Sequence, residues 1–402
     1  MNQFATIYRY EVKKIIKRKL VWITLFICLL GIIFTPFSNL LGSYYVDGVL
    51  TDTHYHMFQV DSEYLRALSG REIDQKLLEE TVTAYRRIPA DADRYIVTEE
   101  YQTYARPYSK VFNLIRSWSN MDFSSVVNWE PDEEALYEMR RMQQENNWQS
   151  VISLSDAEKD YWRERESQLN TPFTYYYNEG YVILMNCFMT VGVLMLLFVS
   201  ICLPGVFADE HSRRTDQLML SSAKGKNTAY WAKLAAGATL AASCSALMSS
   251  LIWGLTLGFY GAEGFHTSMQ IYTNYSFPLT MGQACLIAYG ILIVTSVLMG
   301  VLVMFLSEIF HSSIAALAVS TGLIISGNII MIPDEYRFLA QLWDCTPMAF
   351  LQTWNIFSVR LINMFNHCFT RWQVVPLVYI LCIVVIAFVG KLIFERYQVS
   401  GR

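Results

Sequence analysis

Lys13–Leu41 reads KKIIKRKLVWITLFICLLGIIFTPFSNLL: five basic residues within seven positions, then 22 residues without a charge. A helix crosses the ~30 Å hydrocarbon core of a bilayer in about 20 apolar residues, because no water is there to satisfy exposed backbone groups. Leu20–Leu41 therefore reads as a membrane span, with one late Pro36. A basic stretch before an apolar run is also the pattern of a secretory signal. This run is too long for that, and no small-x-small cleavage site follows it. A retained first span is expected.

Five more stretches qualify: Tyr181–Phe207, Leu234–Phe259, Ala284–Leu306, Ser312–Ile332 and Val374–Val389. The last extends to Phe394 if Lys391 snorkels. None has an ionisable residue near its middle. Orientation follows from Lys and Arg in the short flanking segments. Fourteen flank one side and three the other, which places the N- and C-termini inside.

The long segment Gly42–Glu179 then falls outside. Its 138 residues hold 14 Lys/Arg and 25 Asp/Glu, net −11, while the other 264 residues are net +7. The overall −4 thus averages an acidic polar block and a sparsely charged apolar chain. That split argues against both a soluble globular protein and a disordered chain. The expected fold is an all-α integral membrane protein with six transmembrane helices and both termini cytoplasmic. A large helical extracellular insertion separates spans one and two.

The expected organisation has an interfacial helix over 1–19, span one over 20–41, the extracellular domain over 42–179 and span two over 180–207. A cytoplasmic loop covers 208–233, and spans three to five cover 234–332. An extracellular aromatic-rich loop, amphipathic or re-entrant, occupies 333–373, span six 374–394, and a cytoplasmic tail 395–402. In the first segment Phe4, Ile7, Tyr8, Val12, Ile15, Ile16 and Leu20 recur at helical spacing, with Lys13, Lys14, Lys17 and Arg18 on the other face. That pattern suits a helix lying along the inner membrane surface. The loop 333–373 is too charged for a span but rich in aromatics, which favour the bilayer interface.

Four helices are expected in the external block. They cover Ser62–Ile88 with a break at Gly70, Thr98–Trp118 with an interruption near Pro107, Asp132–Trp148, and Ser155–Leu169. The last opens on a Ser155/Glu158 capping box. His54 and His56 lie near Asp52 and Asp61, either as surface histidines or as a metal site. Six of the eight cysteines fall in apolar runs, where a thiol acts as a small hydrophobe. Cys345 and Cys368 share one non-membrane loop and are either a pair or two thiols, since spacing alone does not settle bridge geometry.

The most informative connector follows span two: Phe207–Lys233, FADEHSRRTDQLMLSSAKGKNTAYWAK. Ser212–Ser222 suits a short helix of mixed charge presented to a soluble partner. The order of features resembles the membrane-spanning permease subunits of the ABC type-2 transporter family. In that family an acidic residue, a Gly-Thr pair, a Leu-rich triplet, Ser-Pro and a basic residue follow span two. Glu210, Thr215, Leu218, Leu220, Ser221, Ser222 and Lys233 match; Arg214 stands where Gly is usual and Ala223 where Pro is usual. The resemblance implies that this loop contacts an ABC ATPase subunit, with Glu210, Arg213, Arg214, Thr215, Asp216, Leu218 and Leu220 as the coupling residues. It also implies a second permease half, identical or homologous.

No G-x-x-x-x-G-K-[ST] phosphate loop occurs; the nearest string, Ala223–Thr228, lacks the first Gly and the spacing. ATP hydrolysis is expected on a separate chain, with no cofactor on this one. No H-E-x-x-H or G-x-S-x-G motif occurs either, and the spans hold no Asp/Glu/His constellation of the kind that marks proton relays or intramembrane catalysis. The expectation is therefore a transport subunit rather than an enzyme, resident in the cell membrane and without a nucleic-acid partner. The cargo expected of an uncharged, aromatic-flanked path is amphiphilic, a peptide or lipid-like molecule. The alternative is a membrane-anchored sensor or interaction protein whose extracellular helical domain binds a ligand.

Overall fold

The computed structural model describes residues 3–46, 48–89, 95–151, 154–213, 227–272, 276–364 and 367–396. Its helices begin with α1 (Gln3–Ile16) and α2 (Lys19–Phe34). There follow α3 (His54–Ala67), α4 (Gln75–Tyr85), α5 (Ser109–Ser119), α6 (Phe123–Asn128), α7 (Glu133–Ser150) and α8 (Asp156–Ser167). The long apolar helices come next: α9 (Glu179–Cys202) with its continuation α10 (Gly205–Arg213), then α11 (Thr228–Tyr260) and α12 (Met281–Phe310). The chain closes with α13 (Ser313–Ile329), α14 (Arg337–Asp344) and α15 (Arg371–Arg396). The protein is a mostly helical, multi-pass membrane protein.

Among the described residues, five helical segments are long and apolar enough to cross a bilayer. They are Lys19–Leu40, Glu179–Glu210, Thr228–Tyr260, Met281–Phe310 and Arg371–Arg396. Their apolar residues encircle the axis instead of forming one stripe, which is the pattern of helices solvated by lipid. Leu20, Trp22, Phe26 and Leu30 on α2, with Leu377, Leu381, Val385 and Phe388 on α15, are all exposed. In water such surfaces would drive association. On α12 two hydroxyls are satisfied within the helix: Thr295 donates to Ile291 O at 2.8 Å and Ser296 to Leu292 O at 2.7 Å.

The expected span Ser312–Ile332 differs. Its helix, α13, has 17 residues, a rise of about 25 Å at ~1.5 Å per residue. Ile330 is already extended, at φ −81° and ψ 122°. Pro333 follows two residues after Met331 and cannot supply a helical N–H. The chain then turns by 118° into Asp334–Asp344. Trp343 Nε1 donates 2.8 Å to the Ile330 carbonyl, so the bend carries its own tie.

The chain divides into two compact units. The first comprises Met1–Pro36, Met185–Leu255 and Ile287–Arg402. Its core collects Leu196 and Phe198 of α9, Met248 of α11, Val303 and Met304 of α12 and Phe350, each without solvent exposure. Small residues of α11 allow close approach of α12. A Cβ on Gly237 would overlap the Met304 sulfur, and one on Gly300 would lie 3.2 Å from Ala241 Cβ. Ser245 and Ser296 share a 3.3 Å hydrogen bond across these helices. His311, at φ 52°, ends α12, and the Ser312 side chain caps α13 by accepting from Ala315 N at 3.3 Å.

The second unit comprises Phe37–Leu184 and Thr256–Leu286. Leu77, Leu78 and Val82 of α4 form its core with Phe112, Ile115 and Trp118 of α5 and Leu136 and Tyr137 of α7. The Tyr85 and Phe112 rings stack at 3.6 Å. Asp74, Asp122 and Asp132 cap α4, α6 and α7 through the backbone N–H groups of Leu77, Ser125 and Ala135. Ser155 and Glu158 form a capping box on α8. The expected helix Ser62–Ile88 is divided by Gly70, whose φ of +86° only glycine adopts readily. Thr98–Trp118 is interrupted by a π-helical turn at Tyr101–Ala105 and a 3-10 turn at Arg106–Tyr108, ahead of α5. Two small antiparallel pairs accompany the helices: β1 (Ser43–Val46) with β2 (Val49–Thr53), and β3 (Arg71–Glu72) with β4 (Thr174–Tyr175).

Candidate functional site

The amphipathic pattern of α1 has one interruption. Glu11 lies four residues from both Ile7 and Ile15, on the apolar face. Glu11 and Ile15 are the buried residues of this helix. A carboxylate driven into an apolar face needs a charged partner. The partner comes from α11: Lys233, without any solvent exposure, places Nζ 2.8 Å from Glu11 Oε1.

Lys233 Nζ also binds Glu210 Oε1. Glu210 belongs to α10 and is 9% exposed. The same Glu210 oxygen accepts from Lys14 Nζ at 2.5 Å, and Lys14 reaches Glu11 Oε2 at 3.4 Å. Two carboxylates and two ammonium groups thus close a ring of net charge zero. One turn away, Arg18 Nη2 lies 3.1 Å from Asp209 Oδ2 and donates 2.6 Å to the Gly205 carbonyl. A Cβ on Gly205 would stand 2.7 Å from Arg18 Nη1, so a larger residue there would push this side-chain end aside.

The ring joins three helices distant in sequence: α1 through Glu11 and Lys14, α10 through Glu210, and α11 through Lys233. Burial alone would pull the Lys14 ammonium toward neutrality. Its hydrogen bond to Glu210 and the charges of Glu210 and Glu11 outweigh that, so its pKa stands above the ordinary lysine value. Lys14 is the half-exposed edge of the ring, and Lys233 is its dry centre. With its charges balanced and its centre dry, the ring is suited to fixing three helix ends in one geometry.

Of the residues expected to couple to a partner, Glu210 sits inside this ring, its carboxylate turned toward two lysines. Arg213 ends α10. Arg214, Thr215, Asp216, Leu218 and Leu220 lie outside the described residues, as do Ser221 and Ser222. Lys233 is set in the second turn of α11, which starts at Thr228. Glu210 and Lys233 therefore anchor the two ends of one connector to each other. Glu11 was the residue that periodicity could have flagged, as the single acid on an otherwise apolar face.

Elsewhere, His56 Nδ1 is 2.9 Å from Asp52 Oδ2, an exposed pair. Among the described residues no group of three His, Cys, Asp or Glu side chains is placed to hold a metal ion. Cys345 and Cys368 are not joined by a disulfide, and Cys368 Sγ lies 2.9 Å from Asn363 Oδ1. The aromatic-rich segment 333–373 is held by charge: Asp344 Oδ2 binds Arg360 at 3.1 Å and the fully buried Arg371 at 3.0 Å. No protein-family model matches the chain, and no curated protein matches it in sequence.

Proposed function

We propose that this chain is the permease subunit of an ATP-driven ABC exporter. It moves an amphiphilic cargo, a peptide or lipid-like molecule, across the cell membrane by alternating access. The observation that carries this reading is the ring of Glu11, Lys14, Glu210 and Lys233. A connector whose two ends are clamped to each other and to α1 transmits a push on its middle to three helices at once. That is the mechanical requirement for a loop moved by a partner's ATP cycle. On this reading Glu210 transmits the push, and Arg213 to Leu220 meet the ATPase.

The six-span plan enters the proposal with Ser313–Ile329 and its 118° bent continuation as the fifth span. The termini then face the cytoplasm, the second unit's acidic block lies outside, and a second permease half completes the path. The chain carries no phosphate loop of its own, so the ATPase is a separate chain. The alternative, a membrane-anchored sensor, draws its support from the folded acidic unit. Asp216→Lys separates the two. Loss of ATPase association with external ligand response intact supports the exporter, and the reverse pattern supports the sensor. Purification of the chain with its co-encoded partners should yield a P-loop ATPase, and its absence would sink the proposal.

A further inference from the structure

The second unit contains an open cleft of about 420 Å³. That volume lies in the range of small-molecule sites, about 300–1,000 Å³. One wall is a continuous face of α3, running from His54 through Phe58 and Asp61 to Leu65 at three- and four-residue steps. Lys110 and Asn113 of α5 form a second wall. Glu179 and Ile183, in the first turns of α9, and Tyr260, at the end of α11, close it. Phe58, Leu65, Ile183 and Tyr260 give the cleft an apolar body.

Several charged residues elsewhere in the unit are matched: Arg71 with Glu80, Arg140 with Glu166 and Arg163 with Glu145. Asp61 is matched too, to Arg106 at 2.7 Å. Lys110 and Glu179 are each half-buried in the cleft, yet among the described residues neither makes a hydrogen bond or ion pair. A cation and an anion on separate elements, both partly desolvated and neither satisfied, are complementary to a ligand carrying the opposite pair. A neutral amphiphile would leave both unsatisfied, and a singly charged one would satisfy only one.

We propose that this cleft binds a short apolar peptide with free termini. Its ammonium group faces Glu179, its carboxylate faces Lys110, and its side chains rest on Phe58, Leu65, Ile183 and Tyr260. The proposal concerns binding alone and stands whatever powers the chain.

The test is calorimetry on the full-length chain in nanodiscs, with leucyl-phenylalanine, its N-acetyl form and its C-terminal amide as probes. Wild type should bind the free peptide saturably, and each blocked form at least about tenfold more weakly. Glu179→Gln should weaken the free peptide to the level of the acetylated one and leave the acetylated one unchanged. Lys110→Met should do the same for the amide. The three-probe comparison on wild type needs no variant, so a folding defect cannot disguise the result. Equal binding of all three probes, or no saturable binding of any, would overturn the proposal. So would tight binding of lysophosphatidylethanolamine with the same variant dependence while the dipeptide fails, which would assign the cleft to lipid headgroups.

Discussion

Replacing Lys233 by Met tests the buried ring at its centre. Lys233 has no solvent exposure and neutralises Glu11 and Glu210 together. Without it, two buried carboxylates face each other with only Lys14 between them. Removing one member of a buried ion pair costs about 3–5 kcal/mol, because the partner stays desolvated and unpaired. Replacing both members by apolar groups is often close to neutral. The double variant Glu11→Leu/Lys233→Met keeps the Lys14–Glu210 pair and should therefore recover most of the loss.

The readout is amide hydrogen exchange of residues 3–16 in the full-length chain, which reports opening of α1. At about 1.4 kcal/mol per tenfold, Lys233→Met should speed exchange by more than about 100-fold. The double variant should stay within about tenfold of wild type. Additive effects, with the double variant as fast as or faster than the single one, would refute the ring as a coupled unit. The ring also has an alkaline limit. Lys14 is raised above its ordinary value of 10.5, so its contribution is complete below that pH and is lost as pH rises through the higher folded value. Protection of α1 should fall only there.

Other consequences are as specific. Hydrogen bonds from Arg163 and Gln149 and the Arg163 charge hold the Glu145 carboxyl down to about 2, against an ordinary value of 4.5. Its contribution is present above the ordinary value and lost as pH falls through the folded one. Arg163→Ala should move the acid-unfolding midpoint, followed by far-ultraviolet circular dichroism, to higher pH. Gly180→Ala should destabilise by about 1–3 kcal/mol, because its Cβ would overlap the backbone carbonyl of Gly261. Gly254→Ala, which meets no atom within 4 Å and lies inside α11, should not lower the thermal midpoint, since Ala is the better helix former. Alkylation of unreduced, denatured protein should label both Cys345 and Cys368, read by peptide mass spectrometry. Native alkylation should be slow at Cys345, whose thiol burial pushes up.

The apolar helices were legible because lipid imposes one rule, length times apolarity, with little competing signal. Helix starts in the second unit were legible for a related reason: Asp132 and the Ser155/Glu158 pair act within one turn. What the pattern missed is non-local. Nothing in the hydropathy of Ser312–Ile332 marks the bend, which depends on Pro333 and on a Trp343 contact from the following helix. The ring was half visible. Glu210 and Lys233 stood out beside the connector, but their role as mutual anchors depends on Glu11. That carboxylate is 222 residues from Lys233 in sequence. The cleft was invisible for the same reason, since its charged groups come from elements brought together only by folding.

The proposal that a separate ATPase drives this chain through the connector between Glu210 and Lys233 has a direct test. Quantitative mass spectrometry of the affinity-purified full-length chain, expressed with its co-encoded partners, tests it most directly. A P-loop ATPase should be present in near-stoichiometric amount with wild type and lost with Asp216→Lys, while α1 keeps wild-type exchange protection. A wild-type preparation without any such ATPase, or one whose ATPase is retained in full by Asp216→Lys, would contradict it.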